Sequence, residues 1–225
     1  MAKFSKPAGT LFTQISSGIY RGKKLALPAP SSTRSTKSIV KGSFFDTWRA
    51  ELRGAAFIEC FGGSGAMALE ALSNGAKNVY AIEKDAAAHK IMRKNFELFG
   101  LGANAILGDC FERLPEILHD LQANMNGCSA VNLSESHTAN SSENSVSDPA
   151  RRVFVYLDPP FAIRQGFDEI YERVLALIAR LGSVRCELLI AIEHMSELEL
   201  PPKIGDFALL KSRKFGATTM SYYAK

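Results

Sequence analysis

Four consecutive residues, Asp158, Pro159, Pro160 and Phe161, combine the groups needed to hold a flat base by its amino group. An exocyclic amine carries two N–H donors, for which the Asp158 carboxylate and the Pro159 carbonyl are candidate acceptors. Phe161 offers a ring on which the base can stack. This combination predicts an amino-group methyltransferase with these four residues as its catalytic set. A plain turn at the end of a strand in any α/β enzyme would give the same pattern.

An apolar run at residues 153–157 leads directly into these four residues. Such a run predicts a buried parallel strand, and the strand must end there because neither proline can pair in a sheet. Ligands of open α/β sheets bind just outside the carboxyl ends of the strands. Residues 158–161 are therefore expected on the floor of a binding site.

A second predicted strand, at residues 55–61, runs into a glycine-rich turn and a helix. The turn, Gly62-Gly63-Ser64-Gly65, allows the backbone to approach a ligand closely. The helix that begins at Ala66 offers free N–H groups to the same ligand. The sequence thus predicts a cofactor site beside the strand that ends at Asp158.

The next two predicted strands also lead to acidic residues. Residues 78–82 lead to Glu83, about 20 residues beyond the first glycine, where α/β folds place the carboxylate that binds ribose hydroxyls. Residues 103–107 lead to Asp109, whose carboxylate and following N–H are suited to an adenine edge. Asp109 fits equally well as the N-cap of a helix over residues 111–121.

The glycine turn alone leaves two cofactors open, because Gly63, Gly65 and Ala68 also match the dinucleotide-binding pattern G-x-G-x-x-[GA]. Glu59, before the turn, and the acid-proline-proline-aromatic sequence are not expected of a dehydrogenase. We therefore expect S-adenosylmethionine rather than NAD. Glu59 is predicted either to bind the amino group of this cofactor or to cap the following helix.

Positive charge is concentrated in the first quarter of this 225-residue chain. Residues 1–53 hold ten Lys or Arg and two acidic residues, a net charge of +8, whereas the rest of the chain carries −4. This asymmetry predicts that the N-terminal part faces a polyanion. A solvated basic tail is the alternative.

Two short strands, at residues 11–15 and 25–27, flank the basic turn Arg21-Gly22-Lys23-Lys24 and predict a small β-hairpin. Its charges and the Tyr20 ring are suited to RNA, although a plain surface hairpin would look the same. A helix is expected from Ser35 or Thr36 onward. The basic residues near its start are predicted to bind phosphate or the cofactor carboxylate, or to be solvated charges: Arg34, Lys37 and Lys41.

The second half of the chain supplies the remaining predicted elements. Residues 122–150, rich in Ser and Asn, predict a flexible surface insertion. A helix at residues 170–181 and a buried strand at residues 188–194 follow. Glu193-His194 at the strand end is a candidate to reach the site, although a histidine there is more often structural. An antiparallel hairpin closes the sheet and carries Lys214 in a second basic patch.

Several classes of protein are disfavoured by the composition. The four cysteines form no C-x-x-C pair, so neither a zinc site nor a disulfide framework is indicated, and no metal is expected. No apolar run approaches the length of a membrane span, and the N-terminus lacks the apolar core of a signal peptide. We therefore expect a cytoplasmic protein that does not bind a membrane.

Taken together, these residues resemble the RsmD-type family, bacterial methyltransferases that modify the exocyclic N2 of one guanine in 16S ribosomal RNA. The resemblance covers nearly the whole chain apart from the insertion. The chain departs from the family pattern at Ser35 and Gly42, where a proline and a glutamate are usual. The resemblance is carried by residues 20–25, 34–36, 40–41, 44–46, 59–65, 83, 158–161, 214–216 and 222–223.

The resemblance implies an α/β, Rossmann-like class I methyltransferase. Its mostly parallel seven-stranded sheet has an antiparallel last strand and forms a domain over residues 54–225, preceded by an RNA-binding hairpin and helix extension over residues 1–53. S-adenosylmethionine is implied as the methyl donor. Its implied contacts are Glu59, Cys60, Phe61, Gly62, Ser64, Gly65, Glu83, Lys84, Asp109, Cys110 and Asp158.

The resemblance also implies a substrate. The guanine amine would bind Asp158 and Pro159, and the partner would be 16S rRNA, the small ribosomal subunit or an assembly intermediate of it. A monomer is expected. Residues implied to contact the RNA are Tyr20, Arg21, Lys23, Lys24, Arg34 and Lys214.

Two other functions remain open. An adenine-N6 methyltransferase acting on DNA or RNA uses the same acid-proline-proline-aromatic sequence, but the short basic hairpin argues against a DNA-recognition domain. A ribosome-assembly factor that retains the fold without activity is the second alternative. The intact glycine turn and Asp158 argue against it.

Overall fold

The computed structural model describes residues 11–28, 34–129, 151–160 and 167–225. Within these ranges the chain forms a two-stranded hairpin, five α-helices and an eight-stranded sheet. The hairpin strands are β1 (Leu11–Gln14) and β2 (Lys24–Leu27). The sheet strands are β3 (Ala56–Cys60), β4 (Asn78–Glu83), β5 (Ala105–Leu107), β6 (Arg152–Leu157), β7 (Glu187–Met195), β8 (Lys203–Ile204), β9 (Phe207–Phe215) and β10 (Thr218–Ala224). The helices are α1 (Arg34–Leu52), α2 (Ala66–Ser73), α3 (Ala86–Glu97), α4 (Cys110–Ser129) and α5 (Phe167–Arg180).

The strand order of the sheet is β5-β4-β3-β6-β7-β10-β9-β8. The pairs from β5 to β7 are parallel, and β10 runs antiparallel to both β7 and β9. This topology confirms the predicted Rossmann-like fold with its antiparallel last strand. The eighth strand, β8, was not predicted because two residues are too short to give a periodic pattern.

Helices cover both faces of the sheet, which explains why its central strands are apolar on both sides. Every residue of β3 is buried, and so is every residue of β6 after Arg152. On one face, Phe44 of α1 meets the rings of Phe57 and Tyr156 edge-on, with centroids 5.8 and 5.7 Å away. Alternate residues of the same strands pack on the other face, in the core that includes buried residues of α4 and α5.

The N-terminal elements belong to the same apolar core as the sheet. Ile15, Leu25 and Val40 are buried together with Phe57 and Phe154. The hairpin register pairs Leu11 with Leu27 and Gln14 with Lys24. As a result, the hairpin and α1 lie against the sheet face rather than apart from it.

One predicted boundary is wrong. The helix expected to end at residue 121 continues to Ser129, so residues 122–129 of the predicted insertion are helical. Adding a residue to an existing helix costs little, because nucleation has already been achieved, and these residues contain no proline. Residues 130–150 lie outside the described residues.

Strand β3 and strand β6 are neighbours at the point where the strand order reverses. The chain leaves β3 toward one side of the sheet, to β4 and β5, and leaves β6 toward the other, to β7. In open α/β sheets such a point opens a crevice at the carboxyl ends of the strands. The glycine turn after β3 and Asp158 after β6 both lie there.

Candidate active site

The glycine turn after β3 has a tightly curved backbone. Gly63 and Gly65 have φ values of 53° and 73°, and Phe61 has φ of 59°, which is rare for an aromatic residue. The turn is closed by the Gly65 N–H, which donates to the Gly62 carbonyl at 2.7 Å, and is tied to β4 by the Gly62 N–H, which donates to the Ile82 carbonyl at 2.8 Å. Backbone strain of this kind is concentrated at functional sites.

Glu59 is a buried carboxylate beneath this turn, with 6% of its surface exposed. Its Oε2 accepts a hydrogen bond of 2.8 Å from the N–H of Ala68 in the first turn of α2. Gly65, at the N-cap of this helix, has no side chain to do so. Glu59 therefore caps the helix, as one of the two interpretations predicted, while it also lines the cavity described below.

Glu83, at the end of β4, is fixed by two backbone groups. Its Oε2 accepts from the Gly63 N–H and its Oε1 from the Asp85 N–H, both at 2.8 Å. A carboxylate has about four acceptor sites on its two oxygens, so these bonds leave capacity for two hydroxyl groups. The carboxylate predicted to bind ribose is thus oriented beside the glycine turn.

Asp109 lies after β5 and begins α4. Its Oδ1 accepts from the Phe111 N–H at 3.1 Å, which confirms the N-cap interpretation. Its Oδ2 lies 3.6 Å from the guanidinium of Arg173 and 4.0 Å from the Lys84 ammonium, whose side chain is 72% exposed. The carboxylate is partly buried, at the same edge of the sheet as Glu83.

Cys60 and Cys110 have buried side chains in the core on the α4 side of the sheet. The Cys110 thiol, together with burial, raises the pKa of Cys60 well above its usual value. Cys60 is therefore a neutral thiol. Any contact with a cofactor at these two predicted positions would come from the backbone.

Strand β6 ends at Leu157, and the Asp158-Pro159-Pro160 segment follows without regular structure. Asp158 is partly buried and lines the cavity, Pro159 is buried, and Pro160 is exposed. Phe161, the last residue of the predicted catalytic set, lies outside the described residues.

A cavity of about 540 Å³ lies between the hairpin, α1 and the carboxyl ends of β3, β6 and β7. It brings together several of the predicted site residues, and it adds others from the hairpin and from β7. Its walls are formed by Phe12, Thr13, Gln14, Lys24, Leu27, Pro28, Ser38, Lys41, Glu59, Phe61, Gly62, Gly63, Ser64, Ala66, Met67, Tyr156, Asp158 and Glu193.

Two wall residues form a buried pair next to Asp158. The Tyr156 hydroxyl donates to Oε2 of Glu193 at 2.6 Å, and each residue is 3% exposed. Burial, followed by the charges of Glu193 and Asp158, raises the pKa of Tyr156 well above its usual value, so its hydroxyl remains a donor. Glu193 was a candidate to reach the site, whereas Tyr156 was predicted only as part of a buried strand.

His194 has the structural role that was favoured for it. It is 3% exposed, and its Nδ1 and Nε2 lie 2.9 Å from the Met195 carbonyl and 2.8 Å from the Ser221 hydroxyl. The carbonyl can only accept, so Nδ1 carries the proton and Nε2 accepts from Ser221. Burial lowers the pKa of His194, which keeps the ring neutral.

The predicted RNA-binding residues differ in their surroundings. Lys24 is exposed and lines the cavity, whereas Lys23 donates to the Leu98 carbonyl at 3.1 Å and lies 4.3 Å from the centre of the Phe99 ring. Tyr20 packs edge-on against the same ring at 4.9 Å. Arg21 is exposed in the hairpin turn and Lys214 is exposed on β9. The side chain of Arg34 lies outside the described residues.

Lys41, another predicted anion-binding residue, is engaged in an ion pair. Its ammonium lies 2.7 Å from Oε2 of Glu70, which is 1% exposed, and 3.2 Å from the Gln14 carbonyl. The Glu70 carboxylate also accepts from the N–H groups of Ser16 and Ser17 and from the Ser17 hydroxyl. This arrangement, here called the Glu70 clamp, joins the hairpin, α1 and α2.

No role was predicted for Asn95 of α3. Its side chain exchanges two hydrogen bonds of 2.9 Å with the backbone of Ala26 and donates to the Ser64 carbonyl at 2.8 Å. It therefore connects the hairpin to the glycine turn. The available signal was a polar residue beside Phe96 on the apolar face of an amphipathic helix.

The described ranges of the chain contain no group of three or more His, Cys, Asp or Glu side chains placed to hold a metal ion. None of their helices is both long enough and apolar enough to span a membrane.

The residues of the turn fit S-adenosylmethionine. A Cβ at Gly63 would meet no atom within 4 Å, so this side of the turn is open to a ligand. The carboxylates of Glu59 and Glu83 stand on either side of the turn, suited to an amino group and to hydroxyls. The fold and this site together define a class I methyltransferase that uses S-adenosylmethionine.

Comparison with known proteins identifies the family. The family model described as conserved hypothetical protein 95 matches residues 13–119 and 108–224. The chain belongs to this family, and its resemblance to the RsmD-type methyltransferases is confirmed. The ribosomal RNA small subunit methyltransferase D of Escherichia coli (strain K12) is 26% identical to it over 212 residues, which cover 94% of this chain and 89% of that protein.

Solved structures share the fold. The protein yhhF from Escherichia coli is 23% identical, with a TM-score of 0.65 over 95% of this chain and 98% of that chain. The Thermus thermophilus 16S rRNA N2 G1207 methyltransferase (RsmC), in complex with AdoMet and guanosine, is 17% identical, with a TM-score of 0.55. This match covers 99% of the present chain and 53% of RsmC.

Proposed function

We propose that this protein transfers a methyl group from S-adenosylmethionine to the exocyclic N2 of a guanine in 16S ribosomal RNA. The observation that carries the proposal is the cavity that places Asp158 beside the glycine turn. A cofactor held by the turn and a base held by Asp158 would meet inside this one space.

The cofactor would be held by groups that the fold already orients. Glu59 would bind its amino group, the backbone of residues 60–65 its methionine part, and Glu83 its ribose hydroxyls. Asp109, with the neighbouring Lys84 and the backbone of Cys110, would meet the adenine. When bound, S-adenosylmethionine supplies an electrophilic methyl group.

The chain would activate the amine through hydrogen bonds. An amine on an aromatic ring is a poor nucleophile because its lone pair is shared with the ring. The Asp158 carboxylate and the Pro159 carbonyl would accept its two hydrogens and hold the lone pair out of conjugation. As the new N–C bond forms, the nitrogen gains positive charge, which the carboxylate stabilises until the extra proton leaves to water. Phe161 is proposed to stack on the base.

The RNA would approach over the hairpin, which forms one wall of the cavity. Lys24 lies on this wall and Arg21 and Lys214 are exposed, so they would contact phosphates. Tyr20 and Lys23 already contact Phe99, and we propose that they shape the hairpin surface for the RNA. A guanine in folded RNA would have to leave its stack to enter the cavity. We also propose that the enzyme is a cytoplasmic monomer.

The known proteins support this choice of substrate. The Escherichia coli relative is named as a methyltransferase of small-subunit ribosomal RNA and matches nearly the whole chain. RsmC shares the fold and has been solved with a methyl donor and guanosine together. This likeness in fold supports S-adenosylmethionine and a guanine base as the two reactants of the proposed reaction.

The test is methyl transfer from labelled S-adenosylmethionine to three substrates: unmodified small ribosomal subunits, naked 16S rRNA, and DNA. Nucleoside analysis of the products should give N2-methylguanosine, and only with the ribosomal substrates. N6-methyladenosine would instead assign the enzyme to the adenine-modifying class. Cofactor binding without transfer to any substrate would indicate an assembly factor.

Asp158→Ala is the variant that tests the proposed catalytic role. It should reduce transfer at least about a hundredfold, because a preorganised group facing developing charge is lost, while cofactor affinity is largely retained. Asp120→Asn, at a residue 81% exposed on α4, should behave as the wild type. A parallel loss of cofactor binding in Asp158→Ala would show that the residue is mainly structural.

A further inference from the structure

Glu193 is a buried acidic residue in the cavity that the proposed reaction leaves without a role. It lies near the carboxyl end of β7, and its carboxylate accepts from Tyr156. Both residues line the same space as Asp158. A carboxylate held inside a cavity has a strong preference for ligands that donate hydrogen bonds, because burying a charge opposite an acceptor is costly.

The sheet register places Glu193 beside Asp158. Strands β6 and β7 are parallel, and Leu157 is paired with Ile192, so Asp158 and Glu193 are the next residues along the two strands. Neighbouring strands lie about 4.8 Å apart. The charges of both carboxylates act on the Tyr156 hydroxyl, which is consistent with their lying on the same side of the sheet.

This spacing suits the edge of one base in particular. Guanine presents an N1–H donor directly beside its N2 amine. Adenine has an unprotonated N1 beside its amine, so a carboxylate at this position would face an acceptor. A carboxylate next to the amine site therefore favours guanine and repels adenine.

We infer that Glu193 accepts the N1–H of the target guanine and so selects guanine over adenine, while Asp158 and Pro159 hold the amine. This inference rests on the proposed function and makes Glu193 a specificity-determining residue of the same site. Tyr156 is a positioning residue, because its hydroxyl orients the Glu193 carboxylate. A carboxylate that accepts from Tyr156 retains acceptor capacity for the base.

The inference can be tested with a base whose N1 is an acceptor, 2-aminopurine, which keeps the amine at position 2 but also lacks the carbonyl oxygen of guanine at position 6. Because the loss of that oxygen is the same for every variant, the change in preference between variants reports on N1. The substrates are small subunits reconstituted with 16S rRNA that carries either guanine or 2-aminopurine at the nucleotide modified by the wild type. Single-turnover transfer of labelled methyl groups gives the preference of each variant for guanine over 2-aminopurine.

The wild type should prefer guanine by about a hundredfold, the value of a hydrogen bond to a buried charge. Glu193→Gln keeps the acceptor for Tyr156 and presents an amide N–H to the base, so this preference should disappear or reverse. Tyr156→Phe retains the ring contacts and should lower the preference by about tenfold. Both variants should bind S-adenosylmethionine as the wild type does.

Glu187→Gln is the matched control, since it changes the same side chain at the other end of β7, where Glu187 pairs with Arg152. It should keep the wild-type preference. If the wild type makes N2-methylguanosine and Glu193→Gln keeps its preference for guanine, the inference is wrong while the proposed function stands. Loss of cofactor binding in Glu193→Gln would also overturn it. If the wild type makes no methylguanosine, the proposed function fails and the inference fails with it.

Discussion

Gly63 and Gly65 of the glycine turn have different surroundings, which the sequence does not show. Gly63 and Gly65 both have positive φ, yet only Gly65 is pressed against a neighbour. A Cβ at Gly65 would lie 2.4 Å from Cε2 of Phe96 and 3.0 Å from Cγ of Met92, whereas one at Gly63 would meet nothing within 4 Å. Both glycines were predicted from the motif, but their different surroundings depend on how α3 packs.

Replacing these glycines by alanine should separate the two effects. Gly63→Ala should lose about 1–2 kcal/mol of unfolding free energy, the cost of a left-handed backbone for a residue with a Cβ. Gly65→Ala has the same cost and must also displace the Phe96 ring, which adds about 1–3 kcal/mol. Urea denaturation of the two variants measures the difference. Equal losses of unfolding free energy in the two variants would show that the Phe96 ring of α3 can move aside without an energetic cost.

The acidic residues around the glycine turn could be predicted from the sequence, but not all of their contacts could. Glu59, Glu83 and Asp109 were predicted because each follows or ends an apolar strand, and the fold brings those ends to one edge. The sequence left open whether Glu59 binds the amino group of the cofactor or caps a helix. The structure shows the cap and places Glu59 on the cavity wall. Asn95 was missed because its two partner residues, Ser64 and Ala26, lie 31 and 69 residues away along the chain.

At the scale of elements, the Glu70 clamp decides where the hairpin lies. Helix α2 presents the Glu70 carboxylate to the backbone at Ser16 and Ser17, and Lys41 of α1 neutralises it. No role was predicted for Glu70, which lies in the helix that begins at Ala66. The hairpin and the helix could be predicted one by one from local patterns, but their contact across 54 residues could not.

Glu70→Gln should therefore detach the hairpin from the sheet. The amide cannot neutralise Lys41, whose side chain is only 12% exposed, and its N–H₂ would face backbone donors. We expect a loss of about 3 kcal/mol in unfolding free energy, the lower end of the range for breaking a buried pair. Amide hydrogen exchange at Ser16 and Ser17 should accelerate before the sheet exchanges.

Glu97→Gln provides the comparison, since it removes an exposed ion pair with Arg93 on α3. Such surface pairs contribute less than about 1 kcal/mol. The wild-type exchange rates should persist at Ser16 and Ser17 in this variant. If Glu70→Gln leaves those rates unchanged as well, apolar packing of Ile15 and Leu25 holds the hairpin without the clamp.

For the whole molecule, only some of the basic residues that are concentrated near the N-terminus of the sequence are available to bind RNA in the folded chain. The net charge of +8 in residues 1–53 predicted a surface for a polyanion. In the fold, Lys24 lies at the cavity, whereas Lys23 packs on Phe99 and Lys41 pairs with Glu70. Counting charges in the sequence therefore overestimates the number of cations available to RNA, because burial and pairing arise only in the folded chain.

Lys24→Ala should weaken the binding of ribosomal RNA in a way that depends on salt. A lysine that contacts one phosphate releases about one counterion, so the slope of log affinity against log salt should fall by about 1. Lys77→Ala removes an exposed lysine just before β4, at the opposite ends of the parallel strands from the cavity, and should leave the slope unchanged. Filter binding of 16S rRNA at several salt concentrations measures both. If the two variants have the same slope, the RNA does not approach over the hairpin, and the cavity must be reached from another side.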